Sequence, residues 1–403
     1  MKKILIVGQY IPSFSNNSNN RFTFLSNMLI KNNCKVEIVT TNFSHGEKKH
    51  RSFEENKLNY EYKVTMLNEP GYKKNVSIKR MYSHHILAKN LKKYLNTKKE
   101  KPDVIYCAVP SLSFAKIAAK YAKKNNIRFI IDVQDLWPEA FKMVFKVPVI
   151  KDILFYPLQR QANYIYKQAD DIIAVSGTYA NRAAKVNKKH KNKLSVFLGT
   201  ELEIFDKYKN EHKSKFDENK VKIAYIGTLG HSYNIKIIIE ALKILKNRYN
   251  NLKFIIMGDG PLRTEFEEYA KKQEIDYEFT GRLDYPVMVG KLCNCDIAVN
   301  PISSGSAGSI INKVGDYAAA GLPIINTQEN EEYRNLVEQY NVGFNCKNND
   351  AKDVAEKLEI LIKDENVRKE LGQNNRKLAE EKFDRKKTYL DIVDLVKKDE
   401  EKN

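Results

Sequence analysis

The sequence predicts an α/β protein made of two doubly wound, Rossmann-like domains that face a cleft. Short buried apolar runs alternate with stretches of helical periodicity along the 403 residues, and this alternation starts afresh after a charged segment. A chain of this length is too long for a single hydrophobic core. Alternating strand and helix signals are typical of parallel sheets covered by helices on both faces. We therefore expect an N-terminal domain over residues 1–200 and a C-terminal domain over residues 201–382.

The first half carries a regular series of strand and helix signals. It opens with the apolar run at residues 4–7, followed by a polar loop at 9–20 that lacks the G-x-G-x-x-G fingerprint, which disfavours a nicotinamide cofactor. Ser176 is expected to cap a helix. The other strands are predicted at 35–41, 60–67 (weak), 103–107, 128–133, 171–175 and 194–198, and the other helices at 21–30, 76–100, 112–124 and 150–168.

The second half repeats the pattern after residues 201–219, which are charged, poor in apolar side chains and indicative of an interdomain linker. A strand at 221–226 runs into a glycine loop at 227–230. Residues 350–403 are helical in pattern and heavily charged. Further strands are predicted at 253–257, 277–280, 297–300, 323–326 and 342–344.

Residues 296–326 form the most informative stretch, because a buried strand, a loop of small residues at 303–309 and a helix at 310–320 follow one another. The unpaired N–H groups and the dipole of a helix N-terminus favour an anion there. Lys313 lies in the first turn, where a cation needs an anion beside it, and Asp316 shares its helix face. A phosphate at Lys313 and sugar hydroxyls at Asp316 would satisfy both groups. The alternative is an ordinary crossover whose loop is small for packing reasons.

The net charge of +19 is concentrated in one half of the chain. Residues 1–200 carry 36 Lys and Arg against 14 Asp and Glu, whereas residues 201–403 carry 33 against 36. This asymmetry predicts an acidic surface or polymer as the partner of the first half. The helix at 76–100 has a basic face and an apolar, aromatic face, which suits an anionic membrane surface. A core-packed helix with solvated lysines is the alternative. No nucleic-acid-binding module is recognisable, so a nucleic-acid partner is disfavoured.

The five cysteines predict reduced thiols in a cytoplasmic protein, because they are odd in number, lie mostly in apolar runs and show no repeated metal-binding spacing. The apolar run at residues 4–7 is too short for a signal peptide, and no stretch reaches the length of a membrane span. We therefore expect a soluble or peripherally bound protein without a metal.

Five segments resemble the retaining glycosyltransferases of family 4, which have the two-domain GT-B fold. They are KILIVGQYIP, DVQDLWPE, YIGTLG, FIIMGDGP with the later FTGRL, and INKVGDYAAAGLPIIN, in the order expected for the family. The branch that they resemble most builds bacterial capsule and O-antigen repeat units and includes N-acetylfucosamine transferases. The resemblance extends over nearly the whole chain.

This resemblance implies transfer of a sugar from a nucleotide diphosphate donor with retention of anomeric configuration and without a required metal or other cofactor. It also implies that a final helix at about 383–398, within the tail 383–403, crosses back to the N-terminal domain. The family has two glutamates separated by seven residues. Asp316 occupies the position of the second, which holds the ribose, and Gly308 that of the first, which contacts the donor sugar.

Candidate site residues follow from the chemistry and the resemblance together. Lys313 is expected to stabilise the departing diphosphate, with the N–H groups of residues 309–311. Asp135 is a candidate base or acceptor-orienting group, or else a cap for the turn at Trp137; His231 is a second candidate base. The predicted donor contacts are Gly227, Thr228, Leu229, Gly230, Gly281, Arg282, Leu283, Ser309, Ile310, Asn312, Lys313 and Asp316. The predicted acceptor contacts are Gln9, Asn20, Arg21, Gln134 and Asp135.

The sequence thus predicts an enzyme that transfers an N-acetylated hexose or deoxyhexose, with UDP as the expected nucleotide, to a lipid-linked saccharide. The expected location is the inner face of the cell membrane, with peripheral attachment at an anionic surface, and the expected process is synthesis of capsule, O-antigen or another cell-surface polysaccharide. Two alternatives remain, a GT-B-fold sugar-nucleotide epimerase and an inactive nucleotide-binding scaffold, the latter suggested by Gly308.

Overall fold

The computed structural model describes residues 1–12, 14, 20–51, 61–75, 77–144, 148–212, 219–306 and 308–398. Much of the predicted polar loop at 9–20 and residues 213–218 of the predicted linker lie outside these ranges, as does residue 307 of the small-residue loop. The chain divides into two compact units. Unit 1 comprises Met1–Val196 together with Tyr389–Asn403, and unit 2 comprises Phe197–Thr388.

Unit 1 is built on a seven-stranded parallel sheet. Its strands are β1 (Lys2–Val7), β2 (Cys34–Thr41), β5 (Lys63–Leu67), β6 (Val104–Val109), β7 (Arg128–Val133), β8 (Asp171–Ala174) and β9 (Asn192–Ser195), with β3 (Phe43–Ser44) and β4 (Lys49–His50) forming a small antiparallel pair. Its helices before the crossing to unit 2 are α1 (Arg21–Lys31), α2 (Ile78–Thr97), α3 (Leu112–Asn125), α4 (Glu139–Val144), α5 (Pro148–Gln168) and α6 (Gly177–Val186).

The strand order in unit 1 is β5-β2-β1-β6-β7-β8-β9, which is the doubly wound order with the topological switch between β1 and β6. Nearly continuous apolar runs such as β6 and β7 are buried along their whole length, as expected for strands covered on both faces. Ser176 caps α6 as predicted, since its hydroxyl accepts a hydrogen bond from the N–H of Tyr179.

Unit 2 is built on a six-stranded parallel sheet. Its strands are β10 (Val221–Ile226), β11 (Leu252–Met257), β12 (Tyr277–Gly281), β13 (Ile297–Asn300), β14 (Ile324–Asn326) and β15 (Gly343–Asn345). Its helices are α7 (Leu202–Glu211), α8 (Ile235–Leu245), α9 (Arg263–Lys272), α10 (Tyr285–Leu292), α11 (Lys313–Ala319), α12 (Glu331–Gln339), α13 (Ala351–Lys363), α14 (Glu365–Leu378) and α15 (Arg385–Thr388).

The order of the second sheet is β12-β11-β10-β13-β14-β15, again doubly wound, with the switch between β10 and β13. Alternate residues of β10 enter different hydrophobic clusters: Ile223 and Tyr225 pack in one, Ala224 and Ile226 in the other. Because successive side chains of a strand point to opposite faces, the sheet separates two cores.

The linker prediction at 201–219 was wrong in its first part. Residues Leu202–Glu211 form α7, and Leu202 and Phe205 are buried in the core of unit 2. A few apolar residues at helical spacing are enough to dock a short amphipathic helix, although the segment as a whole is charged.

The predicted final helix at 383–398 is interrupted. Phe383 ends a π-helical turn and is buried in unit 2, α15 follows, and the chain passes to unit 1 at Tyr389. The last helix is α16 (Leu390–Lys397), which places Ile392, Val393 and Val396 in the core of unit 1. The return of the chain to its first unit was thus predicted, but the helix is shorter.

Candidate active site

In unit 2 two loops follow the strands at the switch: residues 227–230 follow β10, and residues 301–306 and 308–312 follow β13. Crevices at such switch points are where open α/β sheets bind ligands. Gly227 has a φ of +124°, and a Cβ on Gly258 would lie 1.8 Å from the Gly227 carbonyl oxygen. Both positions therefore need glycine, and the first loop is held tightly against the end of β11.

Lys313 points into this loop. Its side chain is only 8% exposed, and its Nζ lies 4.0 Å from the ring centre of Tyr225 and 3.9 Å from that of Tyr233. A Cβ on Gly227 would lie 2.9 Å from the same Nζ, so the missing side chain of Gly227 makes room for the lysine. Among the described residues, no hydrogen-bond acceptor contacts the Nζ.

The charge of Lys313 is therefore held by aromatic faces rather than by a counterion. Burial lowers the pKa of Lys313 well below its ordinary value. Removing a cation from water without a partner is costly, and an arriving anion would remove that cost. This is the strongest electrostatic indication of an anion site in unit 2.

Asp316 lies one turn after Lys313 and is half-buried. Its Oδ1 accepts hydrogen bonds from the hydroxyls of Tyr285, at 2.8 Å, and Thr200, at 3.0 Å. Burial raises the pKa of Asp316, and these two hydrogen bonds partly offset the increase. Neither bond uses Oδ2, so the carboxylate is oriented by its own unit and retains one oxygen for a ligand hydroxyl.

The small-residue loop is anchored by amide side chains. Gln328 donates a hydrogen bond to the carbonyl oxygen of Ser309 at 2.6 Å, and Asn330 donates one to that of Gly308 at 3.1 Å. The predicted helix start at residue 310 was wrong, because α11 begins at Lys313 and Asn312 occupies the N-cap position without a side-chain cap. Ser309 and Ile310 are buried ahead of the helix.

Residues of the glycine loop pack in the core and form hydrogen bonds through their backbone groups. Leu229 is fully buried, and its N–H donates to the Asp259 carbonyl oxygen at 3.0 Å. The carbonyl oxygen of Thr228 accepts a hydrogen bond from Tyr225 at 2.7 Å. Within the described ranges, the backbone hydrogen bonds of this loop do not include the N–H groups of Thr228 and Gly230.

The segment predicted to bracket the base follows β12. Gly281 has a φ of +75°, which favours glycine, and Leu283 packs on the core of unit 2. Arg282 is exposed between them. The segment thus presents one exposed cationic side chain, that of Arg282, from a fixed backbone.

In unit 1, Gln9 bridges the switch between β1 and β6. Its amide donates a hydrogen bond to Glu69 at 3.0 Å, and its side-chain oxygen accepts one from Ser111. Gln9 is buried, so its side chain is committed to this network. The predicted acceptor contact therefore lies beside the sheet end, but inside the protein.

Asn20 and Arg21 also have structural contacts in unit 1. Asn20 caps α1, accepting hydrogen bonds from the N–H groups of Phe22 and Thr23. Arg21 is 4% exposed and forms an ion pair with the buried Asp132 at 3.1 Å. Neither side chain is presented to solvent, because tertiary packing covers both.

Gln134 and Asp135 follow β7. Gln134 donates a hydrogen bond to Asp132 at 2.9 Å. The two carboxylate oxygens of Asp135 accept hydrogen bonds from the N–H of Leu136, at 2.9 Å, and the indole of Trp137, at 3.1 Å. Burial raises the pKa of Asp135, against the effect of these bonds. These contacts fit the turn-capping alternative for Asp135.

Two site residues were missed at the sequence level. Tyr225 and Tyr233 surround Lys313 but lie about eighty residues before it along the chain, so no local pattern links them. The alternation of β10 does place Tyr225 next to the glycine loop, which was the available signal. Among the described residues, no group of His, Cys, Asp and Glu could hold a metal ion.

Comparisons with known proteins agree with this geometry. Residues 206–378, which cover most of unit 2, match the family model for glycosyl transferases group 1. Over this range the chain is similar to group 1 glycosyltransferases. It is therefore a transferase enzyme, and that part of the prediction is confirmed.

The capsular polysaccharide biosynthesis glycosyltransferase CapM of Staphylococcus aureus is 26% identical to the chain over 308 residues, which is 73% of the chain and 76% of CapM. A GalNAc-α-(1→4)-GalNAc-α-(1→3)-diNAcBac-PP-undecaprenol α-1,4-N-acetyl-D-galactosaminyltransferase of Campylobacter jejuni is 30% identical over 166 residues, 40% of the chain and 44% of that relative.

Among solved structures, Anabaena Alr3699/HepE in complex with UDP and glucose superposes with a TM-score of 0.67 at 15% identity, covering 98% of this chain and 99% of the other. This likeness and the two Rossmann-type sheets show the GT-B fold, so the predicted fold class is confirmed. No helix in the described part of this glycosyltransferase is both long and apolar enough to cross a membrane.

Proposed function

We propose that this glycosyltransferase moves a sugar from a nucleotide diphosphate donor, with UDP as the expected nucleotide, to a lipid-linked saccharide acceptor, retaining the anomeric configuration. The transferred sugar is expected to be an N-acetylated hexose or deoxyhexose, and the process synthesis of a cell-surface polysaccharide. Similarity to CapM and to the Campylobacter enzyme, which is named for an undecaprenol-linked acceptor, supports this choice.

The observation that carries the proposal is the buried, unpaired ammonium of Lys313 beside the glycine loop. When the glycosidic bond to the donor breaks, negative charge develops on the leaving diphosphate. A cation already in place, in surroundings from which water is largely excluded, stabilises that charge more than a solvated one would. Backbone N–H groups at Thr228 and Gly230, in the loop beside Lys313, would add neutral donors.

The placement of carboxylates in unit 2 is compatible with retention of the anomeric configuration. Gly308 offers no carboxylate at the position of the family's first glutamate, and Asp316 is held by Tyr285 and Thr200 in a place suited to hydroxyl recognition. We therefore assign no carboxylate nucleophile. The acceptor hydroxyl attacks on the face from which the diphosphate leaves, and a diphosphate oxygen takes its proton. No metal is required in this scheme.

We propose that unit 1 binds to the surface of an anionic membrane. Near the start of α2 three apolar side chains are exposed, Ile78 at 86%, Met81 at 72% and Tyr82 at 57%. Exposed lysines at positions 73, 74 and 79 surround them in sequence. Apolar side chains with flanking cations are the combination that binds anionic bilayers peripherally.

The test compares Lys313→Met with the wild type. We expect turnover of the preferred donor to fall about a hundredfold, with a smaller loss of donor affinity, since one preorganised charge donor typically contributes this much. Donors are first ranked by the thermal stabilisation that UDP-, GDP- and TDP-sugars give. Turnover is then measured with a polyprenyl-diphosphate-linked saccharide, and the product anomer is read by NMR.

Lys236→Met is the matched control, because Lys236 also lies over an aromatic ring, that of Tyr269, but forms a surface ion pair with Glu265. It should keep wild-type kinetics. Unchanged turnover in Lys313→Met would refute the role of Lys313. Donor consumption that needs no acceptor would indicate an epimerase instead, and absence of stabilisation by every sugar nucleotide would indicate an inactive relative.

A further inference from the structure

Unit 1 contains a cluster of cations and aromatic rings that the proposed donor chemistry does not use. Its centre is Arg80, in the first turn of α2. The other members lie in α2 itself, in the loops after β1, β3 and β5, and in the turn after β7. We name it the Arg80 cluster. Its members are Tyr10, His45, Lys48, Tyr72, Arg80, His84 and Trp137.

Aromatic rings surround the Arg80 guanidinium. Its central carbon lies 5.0 Å from the ring centre of Trp137, 5.4 Å from that of Tyr72 and 6.0 Å from that of Tyr10. It donates hydrogen bonds to the hydroxyl of Tyr10, at 3.0 Å, and the carbonyl oxygen of Asn75, at 2.6 Å. Its Nε is buried and donates to no group in the described part of the chain.

No carboxylate of the described residues forms an ion pair with Arg80. Three other arginines of unit 1 do have such partners: Arg21 pairs with Asp132, Arg128 with Asp171 and Arg182 with Glu139. A half-buried guanidinium among aromatic rings is stabilised by cation–π contacts, but its charge stays uncompensated. Its place in the first turn of a helix also opposes the helix dipole.

Lys48 adds a second cation to the cluster. Its Nζ lies 5.1 Å from the ring centre of Tyr72 and contacts the Nδ1 of His45 at 3.1 Å. Burial and the charge of Arg80 lower the pKa of Lys48. Within the described ranges Lys48, like Arg80, lacks a carboxylate partner.

The lowered pKa values of the two histidines in the cluster partly reflect the charge of Arg80. Burial, together with the charges of Lys48 and Arg80, lowers the pKa of His45 to about 4. Burial, then Arg80 and His45, lowers the pKa of His84 to about 3. Glu69, which is buried nearby, accepts hydrogen bonds from Gln9 and Ser83 rather than from either cation. Among the described residues, Glu69 therefore forms no hydrogen bond or ion pair with Arg80 or Lys48.

We propose that the Arg80 cluster is an oxyanion subsite that binds the phosphate or diphosphate of the lipid-linked acceptor. A phosphate group fits the unpaired Nε of Arg80 and the ammonium of Lys48, since guanidinium–phosphate hydrogen bonds are charge-assisted and geometrically specific. The exposed apolar side chains Ile78 and Met81 begin the same helix, so a phosphate carried by a membrane lipid reaches the subsite from that surface. Only the identity of the molecule that carries the phosphate rests on the proposed function.

Trp137 makes the subsite directly observable, because it is the single tryptophan of the chain and faces Arg80. Titration with inorganic pyrophosphate should change the tryptophan fluorescence in a saturable manner. Arg80→Gln should weaken this binding about tenfold to a hundredfold, since it removes charge-assisted hydrogen bonds. Lys48→Gln should weaken it less, and Arg160→Gln, which removes an exposed charge elsewhere in unit 1, should leave it unchanged.

Two vesicle experiments identify the source of the phosphate. Phosphatidylcholine vesicles that contain a polyprenyl diphosphate should produce the fluorescence change in the wild type and not in Arg80→Gln. Phosphatidylglycerol vesicles without it should bind both proteins equally. If only the phosphatidylglycerol response depends on Arg80, the ligand is a bulk lipid headgroup and the acceptor assignment is overturned.

Pyrophosphate titrations that are the same in Arg80→Gln and the wild type, or a wild type that does not respond, would overturn the subsite itself. Circular dichroism and thermal unfolding of Arg80→Gln establish that the variant folds, and Lys48→Gln provides the same test if it does not. Stabilisation by UDP-sugars should be unchanged in Arg80→Gln. A failure of donor binding is therefore distinguishable from a failure of this subsite.

Discussion

Lys313 and Arg80 illustrate one principle at the level of single residues, which is that an uncompensated buried charge marks a ligand. Two buried cations of the described chain have a carboxylate beside them: Arg21 pairs with Asp132 and Arg128 with Asp171. Such pairs hold a fold together. A cation held only by rings, as Lys313 is by Tyr225 and Tyr233, is more favourable when an anion binds.

Donor binding should therefore be accompanied by proton uptake. Burial lowers the pKa of Lys313 in the free protein, and a bound diphosphate favours the ammonium and raises that pKa. Between the two pKa values the complex holds more protons than the free protein, so donor affinity falls as the pH rises. Calorimetry of UDP-sugar binding over a series of pH values, in buffers of different ionisation enthalpy, locates and measures the uptake.

Lys313→Met should abolish this proton uptake, and Lys236→Met should preserve it. If Lys313→Met takes up as many protons as the wild type, the titrating group lies elsewhere. A donor affinity that rises with pH over the same range would contradict the assignment directly.

The sequence located Lys313 and Asp316 because both lie on one short helix, where spacing reveals a shared face. It failed to reveal Tyr225 and Tyr233 as neighbours of Lys313, since these residues come from β10 and the loop after it. It also assigned Asn20 and Arg21 to the acceptor. Their polar character was visible in the sequence, whereas the helix cap and the buried ion pair that engage them depend on tertiary packing.

At the scale of elements, α2 divides into two parts. Leu87, Leu91 and Leu95 are buried against unit 1, as the core-packing alternative requires, whereas Ile78 and Met81 are exposed in the first turns. The apolar face predicted for membrane contact is thus mostly core. The first turns of the helix remain as the candidate membrane contact.

The double substitution Ile78→Ser and Met81→Ser should weaken binding to anionic vesicles about tenfold, because it removes apolar surface that a bilayer would bury. Sedimentation with phosphatidylglycerol vesicles measures the change. The control is Ile244→Ser with Ile360→Ser, which alters two exposed isoleucines of unit 2. Equal sedimentation of the two double variants would exclude the start of α2 as the contact.

Some strand boundaries were predictable from runs that are mostly apolar and buried. The strands at 128–133, 221–226 and 297–300 have the predicted bounds. The helix predicted at 310–320 instead begins at Lys313, because Asn312 forms no side-chain cap and residues 309–310 are held in the loop by packing. Helical spacing cannot distinguish a buried loop from a first helical turn.

At the scale of the whole molecule, the charge is asymmetric, with the excess of cations in residues 1–200. If that excess serves an anionic membrane, attachment has a large electrostatic component. Binding to phosphatidylglycerol vesicles should then decrease steadily with salt and be nearly lost well above physiological ionic strength, since screening shortens the range of each charge.

Vesicles of phosphatidylcholine alone are the control, and they should bind weakly at every salt concentration. Binding to phosphatidylglycerol vesicles that does not change with salt would show that the lysine excess has another purpose. Sedimentation over a series of sodium chloride concentrations distinguishes the two cases.

The fold class was predictable at this scale because two α/β series occur one after the other, and each adopts the doubly wound order. The return of the chain to unit 1 came from the family resemblance, since the charged composition of residues 350–403 does not indicate it.

That return makes the order of synthesis matter. Tyr389, Ile392, Val393 and Val396 supply interior surface to the unit that starts at Met1, and Lys2 donates hydrogen bonds to the carbonyl oxygens of Lys397 and Lys398. The ribosome makes these residues after all the strands of both sheets. Unit 1 therefore lacks part of its core while unit 2, whose residues are contiguous in sequence, is being synthesised.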